Sequence, residues 1–128
     1  PYDMKYKAYK KINKKIDCTL LFVVSFHLIL IFEQKIQLLS FSGILEREWV
    51  LDAQIRYVKI VSGPPKKECM LVGLANGSVL KIFVDNGFPI PLIKKATPIK
   101  IVDISADKQK IAIIDDHNSL FVYDVKSQ

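Results

Sequence analysis

An all-β chain, part of a β-propeller, is predicted by three observations on the sequence. Residues 71–83 and 111–124 share a pattern in which β-branched and aromatic residues are interrupted by a short turn and then resume. Aligning Gly77 with Asn118 gives an offset of 41 residues, and a fainter copy covers residues 28–41. No stretch of useful length has the 3.6-residue period of an amphipathic helix. A repeat of roughly 40–45 residues with about four strands is typical of a propeller blade.

Length limits how much of a propeller the chain can form. A closed propeller needs roughly 4–8 blades, whereas 128 residues hold about three blade-like units. We therefore expect a partial propeller of about three four-stranded antiparallel blades. The units cover about residues 5–52, 53–96 and 97–128, the last of them incomplete, and no second domain is predicted.

The first unit contains short runs rich in β-branched and aromatic residues, which favour strands. Tyr6, Ile12 and Ile16 alternate with lysines, as on a strand with one solvated face. A turn at residues 25–27 divides one long apolar run into two short strands. The predicted strands of this unit are near residues 6–16, 19–24, 27–32, 35–41 and 47–51.

Loops and turns divide the other two units. Pro64 and Pro65 predict a loop, because proline lacks a backbone N–H and fixes φ. Asn76-Gly77 predicts a tight hairpin, because both residue types tolerate positive φ. Pro91 restricts its strand to a sheet edge. The predicted strands are near residues 55–61, 69–74, 78–84, 89–95, 99–104, 110–114 and 119–125.

Three inner segments, residues 70–72, 111–114 and 120–122, are apolar almost without interruption. Continuous apolarity predicts burial on both faces of a strand, as for a blade between two neighbours. Three blades alone would leave two apolar sides open, and open edges promote aggregation. We therefore expect the isolated chain to be poorly soluble or marginally stable.

The net charge of +6 is concentrated near the N-terminus, where six lysines oppose Asp3 and Asp17 within the first 17 residues. Such a segment could attract nucleic acid or anionic lipid. No aromatic stacking platform accompanies it, so a solvated strand face or loop is the favoured interpretation. We predict no nucleic-acid partner.

Cysteine usage and hydropathy argue against two further classes of protein. Cys18 and Cys69 are far apart, which disfavours a zinc site and suits buried thiols in a reducing compartment. The apolar run at residues 18–32 has 15 residues, fewer than the roughly 20 that a spanning helix needs. We expect no transmembrane segment, no metal and no cofactor.

Short motifs occur in a fixed order along the chain. They are Leu39-Ser40-Phe41-Ser42-Gly43, Glu46-Arg47-Glu48-Trp49, Ile55-Arg56-Tyr57, Gly63-Pro64-Pro65, Leu71-Val72-Gly73-Leu74, Asn76-Gly77, residues 80–86, Lys94-Lys95-Ala96-Thr97 and Val122-Tyr123-Asp124. Together they resemble the intraflagellar transport protein 122 family, WD-repeat subunits of intraflagellar transport complex A. The resemblance covers about residues 3–126. It implies about three blades of a WD40-like second propeller.

The resemblance also implies a function and partners. The function would be a non-catalytic scaffold for retrograde ciliary transport, cilium assembly and protein localisation to cilia. The partners would be other complex A subunits and ciliary membrane-protein cargo adaptors, in the cytoplasm and the cilium (basal body, axoneme). The usual Gly-His and Trp-Asp signatures are missing, and only Tyr123-Asp124 lies where Trp-Asp would. An alternative is a propeller scaffold of another large assembly, such as a vesicle coat.

Two segments are candidate protein contacts. One combines Glu46, Arg47 and Glu48 with Trp49, and Trp and Arg are enriched at binding hot spots. Its competing interpretation is an outer strand with a charged face and one buried anchor. Arg56-Tyr57 is predicted as a structural pair inside a blade. The second candidate is the loop that holds Pro64, Pro65, Lys66 and Lys67.

Asp115-Asp116-His117 is the one acid–histidine cluster that could support metal or acid–base chemistry. A hairpin turn is the favoured interpretation, because Asp and Asn suit turns. His27 is predicted to be a packed turn residue. Asn76-Gly77-Ser78 matches a glycosylation sequon, but a cytosolic turn is not glycosylated. The sequence has no phosphate-binding loop or nucleophile elbow, so we predict that the chain is not an enzyme.

Overall fold

The computed structural model describes residues 6–13 and 15–125, which contain no helix and form three antiparallel sheets. Sheet 1 consists of β1 Leu20–Val23, β2 Leu28–Phe32, β3 Lys35–Leu39 and β4 Leu45–Val50. Sheet 2 consists of β5 Ile55–Val61, β6 Cys69–Leu74, β7 Ser78–Phe83 and β8 Ile90–Lys94. Sheet 3 consists of β9 Ile99–Ile104, β10 Lys110–Asp115 and β11 Leu120–Asp124.

Within every sheet, each strand pairs with the next strand along the chain. The connections are short because antiparallel neighbours need only a tight turn. At the predicted Asn76-Gly77 turn, Gly77 has a φ of +89° and joins β6 to β7. Three such meanders, stacked face to face, form consecutive blades of a β-propeller. The predicted all-β propeller fold is therefore confirmed.

Sheet 2 is buried on both faces because it lies between the other two sheets. Its strand β6 is buried at every position. Met70 and Val72 belong to a first core shared with sheet 1, whereas Cys69 and Leu71 belong to a second core shared with sheet 3. At Gly73 a Cβ would lie 2.4 Å from Ile99 Cγ2, so the absent side chain lets β9 approach closely. The continuous apolarity of β6 thus predicts its burial correctly.

The strand predicted at residues 6–16 is wrong for the described residues 6–13 and 15–16, which are irregular. Lys10 interrupts the row that Tyr6 and Ile12 would share on an extended strand, so no continuous apolar face exists to bury. Ile12 instead lies against Gly43, where an added Cβ would be 2.9 Å from its side chain. Lys14 lies outside the described residues.

Strand β11 also differs from the prediction, because residues 120–122 are not buried on both faces. Leu120 and Val122 are exposed, although Phe121 between them is partly buried. Sheet 3 packs on sheet 2 through one face only, which includes Ile111 and Ile113 of β10. We call the opposite side the open face of sheet 3; its apolar residues are Ile101, Ala112, Ile114, Leu120 and Val122, and Asp103 lies on the same face opposite Ala112.

We predict that the isolated chain self-associates through the open face of sheet 3. Exposed contiguous apolar side chains favour association, and a lysine on a sheet face opposes it. Replacing Val122 by lysine should shift the isolated chain toward the monomer in size-exclusion chromatography with light scattering. The exposed Lys100→Gln variant is the control, and a wild-type chain that is already monomeric at high concentration would contradict the prediction.

Candidate protein-interaction surface

The alternating direction of the strands places the connecting loops at two ends of the sheets. The Pro64 end holds the loops β1–β2, β3–β4, β5–β6, β7–β8 and β9–β10. The Gly77 end holds the loops β2–β3, β4–β5, β6–β7, β8–β9 and β10–β11. Hydrogen bonds join loops of neighbouring strands at each end, such as Lys95 N to Gly77 O at 2.7 Å. Each end is therefore a continuous surface made by successive blades.

The candidate segment Glu46–Trp49 forms most of β4, the outermost strand of sheet 1. Glu46 Oε1 lies 2.8 Å from His27 Nε2, so the β1–β2 turn contacts this strand. Glu48 Oε2 accepts a hydrogen bond of 2.8 Å from Gln37 Nε2. Each of these two carboxylates therefore already has a partner within its own blade. His27 is packed beside the turn, as predicted.

Trp49 is a core residue, with 3% of its surface exposed. Its ring packs in the first core with Ile82 and Val84 of the second blade. Its Nε1 donates a hydrogen bond of 3.3 Å to the carbonyl oxygen of Asn86. Trp49 therefore holds the outer strand of sheet 1 against sheet 2, and only its neighbours face the solvent.

The candidate loop at residues 62–68 is exposed up to Lys67 and contains a tight turn. Lys67 N donates a hydrogen bond of 2.9 Å to Pro64 O, and Lys66 has a φ of +67°. Lys66 Nζ lies 5.5 Å from the ring centroid of Phe26, and Lys67 Nζ lies 3.9 Å from Asp85 Oδ2. The two prolines limit backbone freedom, so the loop presents its lysines in a defined place.

Glu68 is a buried acid that sequence reasoning missed. Its Oε2 accepts a hydrogen bond of 2.9 Å from the amide of Ser25, while Oε1 has no partner among the described residues. Burial raises the pKa of Glu68, but the hydrogen bonds, led by that from Ser25, outweigh burial and bring its pKa below the usual value. The carboxylate thus fastens the β1–β2 turn of sheet 1 to the β5–β6 loop of sheet 2. Its only sequence signal is an acid directly before an apolar strand.

Asp115 and its neighbours form a hairpin turn, as predicted. Asp115 Oδ1 accepts hydrogen bonds of 3.0 Å from the amides of His117 and Ser119, and Oδ2 accepts one of 2.6 Å from Thr97 Oγ1. The bond from Thr97, with smaller help from the amides, holds the pKa of Asp115 below its usual value. Among the described residues, no group of three or more His, Cys, Asp or Glu could hold a metal.

We predict that Asp115 stabilises the fold at neutral pH and that this contribution is lost at acidic pH. Because its pKa is lower in the folded state, its ionised form stabilises the fold above the unfolded aspartate pKa, about 3.9. This contribution is lost as the pH falls through the folded pKa. The isosteric Asp115→Asn variant should melt at a lower temperature than wild type at pH 7, and the difference should vanish in acid. The exposed Asp52→Asn variant is the control, and a constant difference at all pH values would refute the charge argument.

Arg56 and Tyr57 do not act as one pair within a blade. The Arg56 guanidinium donates two hydrogen bonds to the Asp116 carboxylate, at 3.0 and 3.2 Å, and thereby joins sheet 2 to the β10–β11 turn. Tyr57 packs against the second core. Both ends of the ion pair are partly exposed, so the bidentate geometry fixes orientation more than it adds stability.

These features define a class of protein: a β-propeller segment of WD-repeat type, whose polar clusters form turns and contacts between blades. In the part of the chain that the structure describes, no helix has the length and apolarity to cross a membrane. A family model described as the IFT122 second beta-propeller matches residues 1–128. The chain belongs to this family, which confirms the resemblance.

Relatives in several vertebrates support the assignment. The chain is 49% identical over 126 residues to the intraflagellar transport protein 122 homolog of Xenopus tropicalis, and 48% identical to that of Homo sapiens. Each alignment covers 98% of this chain but only 11% and 10% of the relative, respectively. The chain therefore spans about a tenth of the length of these curated relatives.

Solved structures with a similar fold include two crystal structures described as BBS1N in complex with ARL6DN, one soaked with mercury and one with lead. Their TM-scores are 0.69 and 0.65, with 11% and 12% sequence identity. The similarity covers 84% and 80% of this chain, and 34% and 32% of those chains. At this identity the likeness concerns the propeller fold alone.

Proposed function

We propose that the chain is a non-catalytic scaffold segment of intraflagellar transport complex A. In this role it would support retrograde ciliary transport, cilium assembly and protein localisation to cilia. The observation that carries the proposal is the match of the whole chain to the IFT122 second beta-propeller family. The two packed interfaces between the sheets support a scaffold role, because they hold successive loops in fixed positions where a partner can bind them.

The proposed partners are other complex A subunits and, through them, adaptors for ciliary membrane proteins. The proposed location is the cytoplasm and the cilium, including the basal body and the axoneme. Three blade-like units, at about residues 5–52, 53–96 and 97–128, would belong to one larger propeller. The proposed contacts are Glu46, Arg47, Glu48, Pro64, Pro65, Lys66 and Lys67, with Trp49 supporting them from inside the blade.

Affinity purification of the tagged full-length protein from ciliated cells tests this function. We expect the other complex A subunits to co-purify in stoichiometric amounts, and we expect the tagged protein to restore cilia in cells that lack the endogenous protein. Recovery of vesicle-coat subunits in their place, or of no stable partner, would overturn the proposal. A tagged version without the second propeller is the control for contacts made by other parts.

A further inference from the structure

Several loops at the Pro64 end are fastened to one another, by two contacts between sheets 1 and 2 and by one contact within each of these sheets. The connections join the β1–β2 turn, strand β4, the β5–β6 loop and the β7–β8 turn. They are Ser25 N to Glu68 Oε2 (2.9 Å), His27 Nε2 to Glu46 Oε1 (2.8 Å), Trp49 Nε1 to Asn86 O (3.3 Å) and Lys67 Nζ to Asp85 Oδ2 (3.9 Å). Their side chains are therefore arranged before any partner binds, which lowers the entropic cost of binding.

Large apolar side chains project from these fastened loops. Phe88 in the β7–β8 turn is 81% exposed, and Phe26 in the β1–β2 turn is 51% exposed. Ile44, directly before β4, and Leu45, the first residue of β4, are exposed as well. Exposed aromatic and aliphatic groups held on rigid loops are typical of interaction surfaces. Neither phenylalanine belongs to the two cores, so packing within the blades does not account for them.

The same surface carries cations without acidic partners. Across residues 6–13 and 15–125, Arg47 and Lys66 form no ion pair, whereas Asp85 is paired with Lys67 and Glu46 with His27. The Arg47 guanidinium lies beside Gly87, next to Phe88, since a Cβ at Gly87 would be 3.3 Å from its Nη1. The Lys66 ammonium lies over Phe26. Phe26 thus has an unpaired cation over its ring, and the residue directly before Phe88 has one beside it.

We propose that this loop surface, formed by Phe26, Ile44, Leu45, Arg47, Lys66 and Phe88, binds an acidic protein segment of a neighbouring subunit. The segment would place large apolar side chains against the phenylalanines and carboxylates against Arg47 and Lys66. This inference rests on the proposed scaffold function and names the surface and the chemistry of its partner. A protein segment suits the surface better than an anionic membrane, because a segment can place its carboxylates at Arg47 and Lys66 and keep them away from Glu46 and Asp85, whereas a layer of anionic headgroups would meet all four side chains.

Site-specific photo-crosslinking in the full-length protein tests the proposal. The photoreactive residue p-benzoylphenylalanine is placed at position 88 in ciliated cells, and at the exposed position 117 of the Gly77 end as the control. We expect position 88 to give an adduct that maps to an acidic segment of a complex A subunit. Position 117 should not give that adduct. An adduct with lipid, or none from position 88 while complex A still co-purifies, overturns the proposal and leaves the scaffold function intact.

Charge reversal separates specific recognition from mere proximity. The Lys66→Glu variant changes an exposed loop side chain, so folding should be unaffected. In a second step, Arg47→Glu is combined with it in a double variant. The adduct from position 88 should fall roughly tenfold or more, because like charges then face each other. Replacing the mapped carboxylates by lysine should restore it. An adduct that is unchanged by Lys66→Glu and Arg47→Glu together contradicts the assigned chemistry.

Discussion

Replacing Trp49 by alanine is expected to lower the free energy of unfolding by about 3–5 kcal/mol. The side chain is 3% exposed and lies between sheets 1 and 2, so its removal leaves a large cavity in the first core. The carbonyl of Asn86 also loses the hydrogen bond from Nε1. Hydrogen–deuterium exchange of the full-length protein would measure the effect. Amides of β3 and β7 should exchange roughly 10²- to 10³-fold faster.

Two variants serve as controls for Trp49. Trp49→Phe keeps an aromatic ring but loses the hydrogen bond, and should cost less, about 1–2 kcal/mol. Val50→Ala changes the exposed neighbour on the same strand and should leave exchange unchanged. Unaltered exchange in Trp49→Ala would show that the ring is not packed between the blades. If the prediction holds, loss of partner binding in a Trp49 variant reports unfolding and not a lost contact.

The strand pattern could be predicted because local signals and tertiary packing agree. Asn76-Gly77 marks a hairpin by its own backbone preference, and β6 alternates its side chains between two cores in a run that is apolar throughout. Residues 6–13, 15 and 16 mislead because their partial alternation resembles a strand, although no apolar row is continuous. Whether a strand forms depends on a partner strand, and periodicity alone does not supply that information.

The candidate surface was predicted only in part. The loop with Pro64 and Pro65 and the charges of β4 are visible in the sequence, because prolines and charge clusters are local features. Phe26 and Phe88 were missed because each is a single aromatic in a turn, and an isolated aromatic in sequence is more often a core residue. The position of Phe26 beside Lys66 depends on contacts such as that between Ser25 and Glu68, which are 43 residues apart.

Replacing Gly77 by alanine is expected to cost about 2–5 kcal/mol, from two independent causes. Gly77 has a φ of +89°, which L-residues with a Cβ adopt only with strain. The new Cβ would lie 2.0 Å from the carbonyl oxygen of Lys95, a backbone atom that cannot rotate away, and relieving such a clash costs a further amount. That carbonyl belongs to the β8–β9 connection, so the strain would reach the junction between sheets 2 and 3. Hydrogen–deuterium exchange of the amides of β6, β7 and β9 in the full-length protein would measure the loss.

Matched glycine variants separate the two causes. Gly87 lies in another turn and has no positive φ, and its added Cβ would meet only the end of the long Arg47 side chain, at 3.3 Å. Because that end can shift by a rotation of the side chain, Gly87→Ala should change stability little. Gly77→Asn tolerates positive φ better than alanine but carries the same Cβ. It should thus remain strongly destabilised if the clash with Lys95 dominates, and it should recover most of the stability if φ dominates. A Gly77→Ala variant as stable as wild type would contradict this prediction. It would mean that the β6–β7 turn does not lie against the β8–β9 connection as closely as the structure shows.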